Sequence, residues 1–109
     1  MRKLIAFTLS SAGHKILEAQ DGVAALEVLK TARVDLIITD VNMPRMDGIE
    51  LTRNVRRLAS HARTPLLIVT TESQPGIKAA GKQAGATGWI VKPFDGVQLL
   101  SIVKRVLGE

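Results

Sequence analysis

Three polar residues, Asp40, Thr70 and Lys92, stand at the ends of three short apolar runs spread along the chain. Leu36-Ile37-Ile38-Thr39 leads to the carboxylate, Leu66-Leu67-Ile68-Val69 to the hydroxyl and Trp89-Ile90-Val91 to the ammonium. A carboxylate can act as a nucleophile towards phosphorus. A hydroxyl and an ammonium beside it can donate hydrogen bonds to the oxygens of a transferred phosphoryl group. The three together therefore read as an anion-handling, phosphoryl-accepting site. The competing reading is that each residue merely terminates its strand. Asp47, close to Asp40 in sequence, reads instead as a helix cap, with Glu50 three residues on as its capping-box partner.

The site exists only if the runs are neighbouring strands of one sheet, and the rest of the sequence is patterned to make them so. Residues Met1 to Ala12 read as a helix with Leu4, Ile5, Leu9 and Ala12 on one face and Gly13 as its stop. Lys15 to Ala19 reads as a short edge strand. Asp21 caps a helix carrying Ala25, Leu26, Val28 and Leu29. The strand Val34 to Thr39 follows, and then, after a loop broken by Pro44, a helix with Leu51, Val55 and Leu58 as its buried stripe. Pro65 precedes the second run, and Pro75 suits the first turn of the next helix, with Ile77, Ala80, Gly81 and Ala84 at helical spacing. Asp95 and Gln98 cap a last helix bearing Leu99, Ile102, Val103, Val106 and Leu107. A helix followed by four strand-plus-helix repeats implies an α/β fold, a doubly wound parallel sheet with helices on both faces. In such a sheet the C-terminal strand ends share one crevice, where ligands bind.

Composition supports one domain spanning residues 1–109, and no linker interrupts it. The chain is 46% hydrophobic, with a mean hydropathy of +0.17. No apolar run reaches bilayer length and there is no cysteine, so a cytoplasmic protein with no membrane partner is expected. The formal charge of +5 raises the question of nucleic acid, but the basic residues are dispersed and the aromatics amount to Phe7, Trp89 and Phe94. Only Arg53, Arg56 and Arg57 cluster, on what reads as a solvated helix face, so no nucleic-acid partner is expected. His14 and His61 read as surface residues without a role, and Met43 and Met46 as packing residues.

The stretch Thr39-Asp40-Val41-Asn42-Met43-Pro44-Arg45-Met46-Asp47-Gly48, with Val69-Thr70 and Val91-Lys92-Pro93-Phe94, resembles the receiver domain of two-component response regulators. The segment Ala79-Ala80-Gly81-Lys82-Gln83-Ala84-Gly85-Ala86 and the following Thr87-Gly88-Trp89 are most similar to the chemotaxis regulators of the CheY type. The resemblance implies a flavodoxin-like fold with strand order 2-1-3-4-5. It implies that Asp40 is the phosphoacceptor served by a histidine kinase, that Thr70 moves to bond the phosphoryl group, and that Lys92 pairs with it. Trp89 then stands at the switching aromatic position, Pro93 follows a cis bond, and Asn42 offers its backbone carbonyl to Mg²⁺ beside Asp40. Phosphorylation would rearrange the surface of the last two strand–helix units and so change binding to a downstream protein target. The molecule would be a phospho-switch, not an ordinary enzyme.

In one respect the sequence departs from that pattern. Receiver domains open with a central strand ending in a pair of acidic residues that hold Mg²⁺, and the sequence begins within the first helix. The expectations are weak Mg²⁺ binding and an N-terminally truncated sheet lacking its first strand. About five buried apolar side chains, worth on the order of 10 kcal/mol, would be lost with such a strand. Either the chain starts at an internal methionine of a longer product, or the sheet compensates by a non-native strand order or by a homodimer formed through strand exchange or intermolecular sheet pairing. The functional alternative is a phosphorylation-impaired interaction module on the same fold.

Overall fold

The computed structural model describes residues 2–41, 46–71 and 76–108. Five helices, α1 (Arg2–Ser11), α2 (Gly22–Thr31), α3 (Gly48–Arg56), α4 (Ile77–Ala84) and α5 (Gly96–Leu107), surround three strands, β1 (Ile37–Asp40), β2 (Leu66–Thr71) and β3 (Gly88–Lys92). The strands are parallel and ordered β1-β2-β3, with Ile37 beside Leu66 and Ile68 beside Trp89. This is the doubly wound, flavodoxin-like arrangement expected. Among the described residues it has three strands rather than four.

The centre of the sheet is β2, whose residues Leu66 to Thr70 are all buried. Successive side chains of a strand point to opposite faces, and β2 accordingly feeds two cores. Leu66 and Ile68 meet Leu29 of α2, Leu51 and Val55 of α3 and Ala84 of α4. Leu67 and Val69 meet Leu9 of α1, Ile90 of β3 and Leu99 and Val103 of α5. A strand buried on both sides must be apolar throughout, which is how this run reads.

The helix starts follow their caps. Asp21 accepts from the Ala24 N–H at 2.8 Å, and Asp47 from the Glu50 N–H at 2.8 Å. At α5 the box is complete, with Asp95 accepting from the Gln98 N–H at 2.9 Å and the Gln98 side chain accepting from the Asp95 N–H at 3.1 Å. Pro75, Pro44 and Met43 lie outside the described residues. Met46 packs against the α2–α3–α4 core as expected.

Four expectations are corrected. Lys15 to Ala19 forms no strand. A strand needs a neighbour to take its hydrogen bonds, and β1, the near edge of the sheet, pairs among the described residues with β2 only. In α1, Leu9 is buried, but Leu4 is 44% exposed and Ala12 falls in the exposed turn beyond the helix. His61 is not on the surface. It is 1% exposed, its Nε2 accepts from the Val34 N–H at 3.3 Å, and its Nδ1 lies 2.8 Å from the Ser60 hydroxyl.

The fourth is Arg56, which does not share the solvated face of Arg53 and Arg57. Its Nε donates to the Gly85 carbonyl at 2.9 Å, and its Nη1 to the carbonyls of His61 at 3.0 Å and Thr64 at 2.8 Å. Burial lowers its pKa from the ordinary guanidinium value. One planar fork thus ties the end of α3 to the turn before β2 and the end of α4, a geometry that a single ammonium cannot reproduce. Arg56→Lys is expected to lose about 2 kcal/mol in urea melts, since charged hydrogen bonds are worth roughly 1.5–3 kcal/mol. Arg53→Lys, at an exposed position, should stay within about 0.5 kcal/mol of the parent.

Candidate functional site

The C-terminal ends of the strands bring Asp40 and Lys92 into contact. Their strands are not neighbours: β2 runs between them, so the lysine side chain reaches across its end. Lys92 Nζ donates to Asp40 Oδ2 at 2.9 Å, and both side chains keep 27–29% of their surface exposed. The pair is therefore open to solvent and to an incoming group. Thr70 stands on the intervening strand, opposite Val91 in the register, and is 2% exposed. Its hydroxyl donates to the Thr71 carbonyl at 3.3 Å, longer than the usual hydroxyl bond.

Beyond Asp40 the chain returns against the end of β1. Gly48 donates its N–H to the Val41 carbonyl at 2.9 Å, and the Thr52 hydroxyl donates to the Gly48 carbonyl at 2.7 Å. A β-carbon on Gly48 would collide with the Asp40 carbonyl oxygen and lie 3.1 Å from the Val41 Cα. The first turn of α3 can thus lie against the end of β1 only because residue 48 is glycine. The Asp47-Gly48 pair in the sequence reads as a restart of the chain; its positioning role emerges only from the contact.

Of the other expected site residues, Trp89 lies on β3, half-buried against the α2–α3–α4 core. Pro93 is exposed, and the Lys92–Pro93 bond is cis. Asn42 lies outside the described residues. Asp47 caps α3, as expected.

Of the ligands a Mg²⁺ site would use, the described strand ends supply the carboxylate of Asp40. Mg²⁺ takes near-octahedral oxygen coordination, usually from one or two carboxylates with substrate phosphates and water. Among the described residues no three His, Cys, Asp or Glu side chains stand together as candidate ligands. The carboxylate at the strand ends, Asp40, already carries the Lys92 ammonium on Oδ2. What the arrangement offers is a carboxylate and an ammonium in contact at a solvent-open point, with Thr70 on the strand that runs between theirs.

The chain is similar to known proteins in sequence and in fold. The model of the response regulator receiver domain matches residues 1–104. A chemotaxis protein CheY homologue of Campylobacter jejuni is 40% identical over 110 residues, covering 99% of this chain and 85% of the relative. The chemotaxis response regulator CheY4 of Vibrio cholerae superposes with a TM-score of 0.91 at 46% identity, covering 96% of this chain and 88% of that one. The receiver domain of the sensor histidine kinase PA1611 from Pseudomonas aeruginosa PAO1, solved with a magnesium ion coordinated in its active-site cleft, superposes with a TM-score of 0.90 at 29% identity over 99% of this chain.

Proposed function

The chain belongs to the response regulator receiver domain family of two-component signalling, with its likeness to the CheY type, and we propose that it works as a phosphoryl-accepting switch with a chemotaxis-type output. The observation that carries this reading is the 2.9 Å contact of Lys92 with Asp40 across the end of β2, beside Thr70. An oxygen of Asp40 attacks phosphorus on the phosphohistidine of a histidine kinase. A P–O bond forms, the P–N bond breaks, and the imidazole leaves with that electron pair. Lys92 shifts its ammonium from the carboxylate to a phosphoryl oxygen, and the Thr70 hydroxyl exchanges the Thr71 carbonyl for another. The site then carries about −1.5 to −2 charges. Movement of Thr70 and of Trp89, one strand over, passes this change to the face formed by α4, β3 and α5, where a downstream protein target binds. The molecule is a signalling switch and not an enzyme with a separate product. No described helix is long and apolar enough to cross a membrane, which suits a cytoplasmic site of action.

The donor set at Asp40 favours a second reading, a receiver-fold interaction module with impaired phosphorylation. Incubation with acetyl phosphate, with Mg²⁺ or with a chelator, followed by intact-mass measurement separates the two. A gain of one phosphoryl group is expected. An unchanged mass under both conditions selects the second reading.

The partner side of the proposal includes a second copy of the chain. Among the described residues β1 pairs with β2 only, and it reads Ile-Ile-Thr-Asp, with none of the lysines or prolines that commonly blunt a sheet edge. Pairing between copies through β1 would extend the sheet. Light scattering is then expected to report the mass of two chains, and a compact, cooperatively melting monomer would remove this part of the proposal.

A further inference from the structure

We propose that Gly81 is the seat of the switching aromatic: its missing side chain is what lets the Trp89 indole lie against α4, and residue 81 therefore sets the resting position of the switch. The regulatory half of this statement rests on the receiver reading above; the seat itself does not.

Trp89 and Ile68 are partners in the β2–β3 register and share one face of the sheet. Gly81, buried within α4, faces both. A β-carbon at residue 81 would lie 2.6 Å from Cζ3 and 3.1 Å from Cη2 of Trp89, and 3.0 Å from Cδ1 of Ile68. These are closer than saturated carbons pack, so either the indole or the helix would have to give way.

The backbone supplies no other reason for glycine here. The glycines with positive φ are Gly13, Gly76, Gly85 and Gly108, and Gly81 is not one of them. It sits in the body of α4, where alanine is the better helix former. A helix of eight residues without a side-chain N-cap bond gains little from an interior glycine. What glycine adds is room for the outer ring of an indole. Cζ3 and Cη2 belong to that ring, and a phenylalanine at residue 89 has no counterpart to them. The bare position and the large aromatic are therefore a matched pair across two elements.

The consequence for the switch is direct. A side chain at residue 81 evicts the indole, so the rotamer change that would accompany phosphorylation loses one of its two end states. The response shrinks whichever direction phosphorylation drives the ring.

Trp89 is the one tryptophan, and the chain has no tyrosine, so its emission reports the seat without interference. In Gly81→Ala, with no phosphoryl donor present, the emission is expected to move to longer wavelength and its quenching by acrylamide to rise. The melting temperature should fall. In the Trp89→Phe background the same Gly81→Ala change should raise the melting temperature, because the contact that remains is with Cδ1 at the far end of the Ile68 side chain, which can turn away into the space the indole leaves, while the helix-propensity gain stays. This inversion of sign is the part a merely structural glycine would not produce. Unchanged emission and quenching, or melting shifts of the same sign in both backgrounds, would overturn the seat. With acetyl phosphate, the emission change of the parent should be reduced in Gly81→Ala, and an undiminished change would overturn the regulatory half. A parent that takes up no phosphoryl group fails the phosphoacceptor reading instead, while the donor-free measurements still decide on Gly81.

Discussion

Asp40→Asn is expected to abolish phosphoryl incorporation outright while leaving the fold intact. The substitution keeps the shape of the side chain and removes the charge and basicity that make its oxygen a nucleophile. It also turns the ion pair with Lys92 into an ordinary hydrogen bond. That pair is partly exposed, at 27% and 29% of the two side chains, and such pairs are worth about 0–1 kcal/mol. Urea melts of parent and variant should therefore superpose within about 1 kcal/mol, and the intact mass after acetyl phosphate should separate them completely. The control is Asp47→Asn. Asp47 caps α3 through the Glu50 N–H, and asparagine caps as well as aspartate, so this variant should be labelled like the parent. Label retained in Asp40→Asn, or lost in Asp47→Asn, would move the acceptor away from Asp40.

Much of this site is legible in the sequence because its logic is local. Asp40 and Lys92 each end a β-branched run, and the run itself announces a strand whose end opens into the crevice. Asp21, Asp47 and Asp95 announce their helices in the same way, through a bond to a backbone N–H three residues on. What the sequence hides are contacts between distant segments. His61 reads as an isolated polar residue near a turn, and nothing in its neighbours reveals the Val34 N–H that it accepts from across 27 positions. Arg56 sits among other arginines at a spacing that suits a solvated face, yet its guanidinium closes on Gly85, 29 residues away. Gly81 reads as one small residue in a helical stripe until the indole is seen beside it. One of these had a faint signal: a glycine inside a helix with no turn to make goes against local preference. Lys15 to Ala19 fails for the opposite reason. Its local pattern suits a strand, but strand formation is a property of a pair, and no described strand lies beside it.

A large stability effect is expected of Ile90→Ala, and its contrast with Ile38→Ala tests how the sheet is covered. Both isoleucines belong to strands that pair on one side only among the described residues, and both pack into the core formed with α1 and α5. Their surroundings differ. Ile90 is 0% exposed, enclosed with Leu67, Val69, Leu99 and Val103, whereas Ile38 is only partly buried. Truncating a fully enclosed isoleucine costs about 2–5 kcal/mol, because the lost transfer energy is joined by the cavity it leaves. That is a large part of a domain's total stability of about 5–15 kcal/mol. A side chain still in contact with water loses less burial and leaves no closed cavity, so Ile38→Ala should cost about 1 kcal/mol, within the common range for single substitutions. Urea melts at low protein concentration would give both values. Equal costs would mean that the β1 flank is as well covered as the β3 flank, and the partial exposure of Ile38 would then carry no energetic weight. The concentration dependence adds a second reading of the same variants. If copies pair through the β1 edge, Ile38 becomes more enclosed in the dimer, and the cost of Ile38→Ala should grow as protein concentration rises. The cost of Ile90→Ala, set by α5 within one chain, should stay constant. A cost at Ile38 that is independent of concentration would leave β1 without a partner strand from another copy.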